Sequence, residues 1–272
     1  MEKYCLIGEN ISYSLSPIMH NELFRLAGID ARYDILECNK DELEQTAKRL
    51  RTEYNGANVT VPYKTAIIPF LDEITGNAQY CGAVNTIINK NGVLIGDCTD
   101  GEGFLKGVDL PLNNQRVLLY GSGGAARAIL AALMSAGAVV YIVNRTHSSA
   151  VDMLNSMAKA GCDCFNARVT DKPMLKYALS VNATPMGGTK YPDACPQLPD
   201  NILDAGFVYD CVYSPNPTVL LKKAQESGLK HQNGLSMLFW QGVLAQKHWG
   251  HEFDENILSQ VYATMQKENN IR

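Results

Sequence analysis

Lys64 and Asp100 are the two charged residues of this sequence best placed to move a proton. Lys64 closes Thr60-Val61-Pro62-Tyr63-Lys64, just past a strand end and a proline. Asp100 lies in Gly96-Asp97-Cys98-Thr99-Asp100-Gly101, at the end of another strand. Ligands of open α/β sheets bind beyond the carboxyl ends of the strands. There an ammonium could donate a proton to a carbonyl under reduction while the carboxylate orients it and holds a substrate hydroxyl. Read in isolation, the same two residues also make a surface ion pair. Ser14 and Ser16 flank Leu15 just before a helix start. Two hydroxyls beside a helix N-terminus suit a carboxylate; Ser16 would equally serve as a plain N-cap. Asn85, in Gly82-Ala83-Val84-Asn85-Thr86, and Gln241, in a C-terminal helix, are amides on apolar segments. Such amides satisfy core backbone groups or hold a polyol.

A second constellation concerns a phosphate-bearing ligand. The buried-strand pattern at 116–120 runs into Gly121-Ser122-Gly123-Gly124-Ala125-Ala126 and then into a helix-prone stretch at 127–134. Strand, glycine turn and helix in that order place a pyrophosphate on backbone N–H groups at a helix N-terminus. The next strand, 139–143, ends at Asn144-Arg145-Thr146. That is about 20 residues past the turn, where NAD-binding folds offer Asp or Glu to the ribose 2′-hydroxyl. A carboxylate there repels a 2′-phosphate and a guanidinium attracts it, so Arg145 predicts NADP rather than NAD.

The elements that must position these groups follow from the pattern. Residues 4–8 read as a strand, Ser16-Pro17 to Gly28 as a helix, and 33–38 as a strand. A helix over 41–51 pairs Glu44 with Lys48 across one turn. Then come a strand at 57–61, a helix near 64–71, and a hairpin of 84–89 and 93–97 around Asn91-Gly92. An antiparallel pair among βα units predicts a mixed sheet. From about Gly101 the strands 117–120, 139–143, 164–166, 179–182, 207–212 and 229–231 form the nucleotide half. Residues 184–199, proline-rich, read as a surface loop. Helices over 235–248 and 254–267 have no strand to pair with and are expected to pack back on the first domain. The fold class is therefore α/β with two domains. Residues 1–100 plus 235–272 form a substrate-binding, catalytic domain, and 101–234 a Rossmann-like NADP-binding domain.

The bulk numbers agree. The chain has 272 residues, room for about two domains. Its 46% hydrophobic and 19% charged residues are those of a soluble globular protein. A net charge of −4 without a basic stripe argues against nucleic acid or an anionic membrane as main partner. The first residues already form a strand rather than a leader, and the most apolar region, 125–143, is broken by Arg127 and Gly137. The eight cysteines show no C-x-x-C and no zinc spacing, and read as reduced thiols of a cytoplasmic protein. His248 and His251 lack a third ligand nearby, so no metal is expected.

Taken together, the motifs resemble the shikimate dehydrogenase family nearly end to end. They are Ser14-Leu15-Ser16-Pro17 with His20-Asn21, Asn58 to Lys64, Gly82 to Thr86, Gly96 to Phe104, the glycine turn, Asn144-Arg145-Thr146, Asn182-Ala183-Thr184-Pro185-Met186, Tyr209 to Pro215 and Gly234 to Gln241. The resemblance implies reversible reduction of 3-dehydroshikimate to shikimate with NADPH, in aromatic amino-acid biosynthesis. It implies that Ser14 and Ser16 hold the shikimate carboxylate. Thr60, Lys64, Asn85, Asp100 and Gln241 would bind the ring hydroxyls, with Tyr213 near the same pocket and Lys64 and Asp100 catalytic. It implies NADP along Gly121, Ser122, Gly123, Gly124, Ala125, Asn144, Arg145, Thr146 and Thr184, with Cys211, Gly234 and Met237 at the nicotinamide end. The partner is thus a small molecule, and the chain a monomer or homodimer.

The sequence departs from the family pattern at Asn10, Tyr13, Cys98, Ser149 and Ser236. Ser149 removes a second basic group from the 2′-phosphate region. Two other readings share the scaffold: a quinate/shikimate dehydrogenase with relaxed cofactor use, and a non-catalytic NADP-sensing protein. Ser16 and Thr60 favour shikimate over quinate because they leave less room, and a mere sensor has no use for Lys64 and Asp100 at converging strand ends.

Overall fold

The computed structural model describes residues 1–171, 176–196 and 206–271. Its strands form two six-stranded sheets. The first contains β1 (Glu2–Gly8), β2 (Ala31–Glu37), β3 (Gly56–Val59), β4 (Glu73–Ile74), β5 (Thr86–Lys90) and β6 (Val93–Asp97), in the order β2-β1-β3-β5-β6-β4. β1 runs parallel to β2 and β3, whereas β5 is antiparallel to both β3 and β6, so the sheet is mixed. The β5–β6 hairpin turns at Asn91 and Gly92, both with positive φ (53° and 90°). Two left-handed residues in succession make the mirror-image turn that matches strand twist.

The second sheet contains β7 (Arg116–Tyr120), β8 (Val139–Val143), β9 (Ala167–Val169), β10 (Leu179–Asn182), β11 (Phe207–Asp210) and β12 (Lys230–Asn233). Every pairing is parallel, in the order β12-β11-β10-β7-β8-β9. This is the doubly wound order, whose switch point lies between β7 and β10. Both faces of such a sheet are covered, so strands such as β7 and β10 read as continuous apolar runs.

Helices α1 (Ser16–Ala27), α2 (Leu43–Glu53), α3 (Gly76–Cys81), α4 (Asp100–Val108), α5 (Gly124–Ser135), α6 (His147–Lys159), α7 (Val219–Glu226), α8 (Leu235–His248) and α9 (Glu255–Ile271) complete the described chain. The pair α8 and α9 packs back on α1: Leu15, Met19 and Leu23 share a core with Leu235, Phe239, Val261 and Met265. Between the sheets lies α4. Its Phe104 and Val108 join the core of the parallel sheet, while Ala128 of α5 reaches into the core of the mixed sheet.

Several local expectations change. Residues 64–71 form no α-helix; turns lead to a short 3-10 segment at Ile68–Phe70. Pro69 lacks an N–H and its ring would clash with a carbonyl one turn back, which ends any longer helix. Ser16 is not the cap of α1 but its first residue: Leu15 holds the cap position, with no side-chain bond. The third strand of the parallel set lies at Ala167–Val169 rather than 164–166. The helix expected over 41–51 begins with the 3-10 segment Lys40–Glu42, and its Glu44–Lys48 pair forms at 2.7 Å. The end of the expected loop, 197–199, lies outside the described residues.

Candidate active site

Lys64 follows β3 and Asp100 opens α4, and the two side chains meet as a hydrogen-bonded ion pair. Only 17% of the Lys64 side chain and 5% of the Asp100 side chain is exposed, so this is not a surface pair. Burial alone pulls the Lys64 ammonium down. The Asp100 charge and its hydrogen bond outweigh that, and the group sits above the ordinary lysine value. Lys64 therefore remains an acid through neutral pH.

The other Asp100 oxygen is held by Asn85 Nδ2 at 2.9 Å. The same amide nitrogen lies 3.0 Å from Gln241 Oε1 and 2.9 Å from Thr99 Oγ1. It has two hydrogens for these three acceptors. Asn85 Oδ1 accepts from Thr99 N at 2.8 Å, and Thr99 Oγ1 donates to Gln241 O at 2.9 Å. Four residues distant in sequence are thus brought together: Lys64, Asn85, Asp100 and Gln241. Thr99, which carries no role in the sequence reading, ties them. Its only signal was its place beside Asp100 at a strand end.

The remaining substrate candidates have these surroundings. Ser14 and Ser16 pair with each other, Oγ to Oγ at 3.2 Å, at the head of α1. Thr60 follows β3 with its N–H on Ile7 O at 2.9 Å. Tyr213 packs against the core shared by α1, α8 and α9. Ser236, where the family pattern has glycine, is tied to Tyr209 Oη at 3.1 Å and Gln232 Nε2 at 2.6 Å.

The glycine turn sits at the switch point of the parallel sheet. Gly121 has φ +115°, and a Cβ there would meet Ala183 O at 3.0 Å. A bulkier residue would strain this junction of the loops after β7 and β10. Gly123 faces open space, and Gly124 begins α5 directly beside the Lys64 stem, where a Cβ would lie 3.4 Å from Lys64 Cβ and Cδ. No acidic residue occupies the first turn of α5. Free N–H groups, an open glycine and a helix dipole fit a pyrophosphate. At the end of β8, Asn144 Nδ2 is held on Thr146 O at 2.9 Å, and Arg145 is exposed. Its neighbour His147 pairs with Asp171 at 2.7 Å, and Ser149 is exposed. Arg145 is thus an exposed cation just past the end of β8. Thr184 bonds Asn182 Oδ1 through both its N (3.0 Å) and Oγ1 (2.7 Å). Cys211 and Gly234 meet backbone to backbone, Ser122 and Ala125 are half-buried, and Met237 is buried in the core.

Asp210, at the end of β11, escaped the sequence reading. Burial pushes its carboxyl up to about 6, against hydrogen bonds from Thr218, Val212 N and Asn182. Those bonds, at 2.6, 3.1 and 2.8 Å, tie the loops after β10 and β11 to each other.

Fold and site together define a dinucleotide-dependent oxidoreductase. Residues 6–87 match the family model of the shikimate dehydrogenase substrate binding domain. The NADP(+) shikimate dehydrogenase of Carboxydothermus hydrogenoformans is 40% identical over 251 residues, covering 90% of each chain. The shikimate dehydrogenase of Thermus thermophilus, solved with NADP(H) and shikimate, superposes with a TM-score of 0.84 at 33% identity, covering 97% of this chain and all of that one. Another shikimate dehydrogenase, solved with NADP+, gives a TM-score of 0.88 at 32% identity over 97% and 95% of the two chains. The chain belongs to the shikimate dehydrogenase family. Among the described residues no helix is long and apolar enough to cross a membrane, and no cluster of three or more ligating side chains could hold a metal ion.

Proposed function

We propose that this protein reduces 3-dehydroshikimate to shikimate with NADPH, reversibly, in the cytoplasm, as a step of aromatic amino-acid biosynthesis. The observation that carries the reading is the buried Lys64–Asp100 pair packed against the first residue of α5. Bound NADPH would supply the hydride that reduces the ketone. Lys64 Nζ donates the proton that the forming alkoxide oxygen takes, so a C=O becomes a CH–OH. Asp100 holds the ammonium in place and accepts a hydrogen bond from a ring hydroxyl. Asn85, Gln241 and Thr60 bind further hydroxyls, with Tyr213 at the pocket edge. Ser14 and Ser16 hold the carboxylate, helped by the N-terminus of α1.

On the nucleotide side, residues 121–125 hold the pyrophosphate, Asn144, Arg145 and Thr146 the adenosine end, and Thr184, Cys211, Gly234 and Met237 line the nicotinamide end. Residues 1–100 with 235–272 form the substrate-binding unit and 101–234 the nucleotide-binding unit. The eight thiols are free in the structure.

Following reduced-cofactor absorbance with shikimate and quinate, each against NADP+ and NAD+, tests the reading. Turnover highest with shikimate and NADP+ is expected. Cofactor binding without oxidation of either substrate would overturn it.

A further inference from the structure

Behind the reacting pair runs a line of buried polar side chains that no proposed ligand contact uses. Tyr33 of β2 donates its hydroxyl hydrogen to Asn58 Oδ1 at 2.8 Å, reaching across β1. The Asn85 backbone carbonyl can only accept, so the Asn58 amide nitrogen must face it at 3.0 Å, which leaves Asn58 Oδ1 to take the phenol hydrogen. Asn58 Nδ2 points the other way, to Asn85 O at 3.0 Å and Thr86 Oγ1 at 3.3 Å. Thr86 Oγ1 accepts from Asn58 and lies 3.0 Å from Asn85 Oδ1 and 3.2 Å from Thr99 Oγ1; the shorter of the two, to Asn85 Oδ1, takes its hydrogen. The opposite end of that amide, Asn85 Nδ2, meets Asp100. Every link runs donor to acceptor in one direction, from the phenol to the carboxylate that holds Lys64.

Tyr33, Asn58 and Thr86 are all buried. The Tyr33 ring is itself fixed, stacked on His20 at 4.1 Å between centroids. Apolar side chains would fill this volume more cheaply, because a buried polar chain has to satisfy every donor and acceptor. Asn85 Oδ1 has a second hold on the opposite side, the Thr99 N–H. The chain from Tyr33 supplies the grip from the sheet.

We propose that Tyr33, Asn58 and Thr86 are positioning residues for the proton transfer: a one-way hydrogen-bond chain, built into the mixed sheet, that keeps the amide hydrogens of Asn85 on Asp100 and thereby keeps Asp100 on Lys64. The proposal rests on the function proposed above for this site. The chain acts on the chemical step and leaves substrate affinity nearly alone, since Tyr33, Asn58 and Thr86 are not among the groups proposed to bind the substrate.

A double-mutant cycle of Tyr33→Phe and Thr86→Val decides it. These near-isosteric changes each remove one hydroxyl, and the two hydroxyls touch only through Asn58. Each single variant is expected to lower kcat by about 2- to 10-fold, the range of one lost hydrogen bond, with KM little changed. The Lys64 titration, followed by NMR, should move down in both as Asp100 loosens. The double variant should be no worse than Thr86→Val alone, because a cut downstream silences what lies upstream. Thr86→Ser, which keeps the hydroxyl, should restore both readouts.

Losses that multiply in the double variant would overturn the proposal. So would a lowered melting temperature with kcat and the Lys64 titration unchanged. If Thr86→Val does not fold, Tyr33→Phe decides alone by the same two readouts. A wild-type chain with no shikimate turnover would overturn the function reading, while the Lys64 titration of the variants would still judge the chain.

Discussion

The backbone of Gln241 lies against the bare Cα of Gly103: a Cβ there would come within 2.6 Å of the Gln241 nitrogen. This close approach joins α4, which carries Asp100, to α8, which carries Gln241. Gly103→Ala must push the helices apart. Overpacking of this kind costs about 1–3 kcal/mol, and a lower urea midpoint together with a raised KM for shikimate is the expected result. A variant with both values unchanged would show that the two helices give way without cost.

In the proposed mechanism Lys64 supplies the proton, so removing it should strike turnover rather than cofactor binding. Lys64→Ala is expected to lower kcat about 10²- to 10⁴-fold, the usual contribution of a positioned acid or base. NADPH affinity, measured by fluorescence titration, should stay near wild type. Because the Asp100 charge keeps the ammonium above the ordinary lysine value, the wild-type ketone-reduction rate should not fall on account of Lys64 until pH exceeds the normal lysine range. An unchanged kcat in the variant removes Lys64 from the chemistry.

Arg145 is the exposed cation at the end of β8, with Ser149 nearby in place of a second basic group. A charge-assisted hydrogen bond contributes about 1.5–3 kcal/mol. Arg145→Ala should therefore reduce the preference for NADP+ over NAD+ about 10- to 150-fold, read from kcat/KM with each cofactor. An equal ratio before and after means that the guanidinium points elsewhere.

Two buried groups set opposing slopes of stability with pH. Burial pulls the His20 imidazole down from 6.5 to about 3. Across that window the unfolded chain binds a proton that the folded chain refuses, so stability is lost as pH falls. Asp210 behaves in the opposite sense. Its carboxyl rises from 3.8 to about 6, the folded chain keeps a proton that the unfolded one releases, and stability is lost as pH rises through that window. Each group sets a slope of up to about 1.4 kcal/mol per pH unit. Urea melts at a series of pH values should show a shallower acid loss in His20→Gln. In Asp210→Asn stability should climb more steeply between about pH 4 and 6. Parallel curves for either variant would exclude that group as a source of the slope.

What the sequence made legible was local. The glycine turn, the Asn91-Gly92 hairpin and the parallel strands each carry their signal within a dozen or so residues, and each lies within a few residues of its expected place. Arg145 and Lys64 were found through neighbouring motifs. What escaped depends on tertiary packing. Helix α4 holds three glycines in nine residues, Asp100 to Val108, a poor composition for an isolated helix. It forms because the bare faces at Gly101, Gly103 and Gly107 let α5 and α8 press against it. The helix expected near 64–71 fails at Pro69, a single breaker inside an otherwise favourable run. Thr99, Thr86 and Asn58 gave no individual signal, since their partners lie across strands and not along them. The contact from Tyr33 to Asn58 crosses an intervening strand that no spacing rule reports.

The amide of Asn85, with fewer hydrogens than the acceptors crowded round it, makes an unfilled appetite part of the resting enzyme. If Asn85 binds a ring hydroxyl as proposed, a ring that arrives carrying an alcohol brings a further hydrogen with it and relieves the crowding. A deoxy analogue of the same shape brings none and inherits the shortage. On that role, discrimination against such a mimic would be built in before any ligand arrives, and it should exceed what shape alone provides, because the penalty falls on polar atoms already stripped of water.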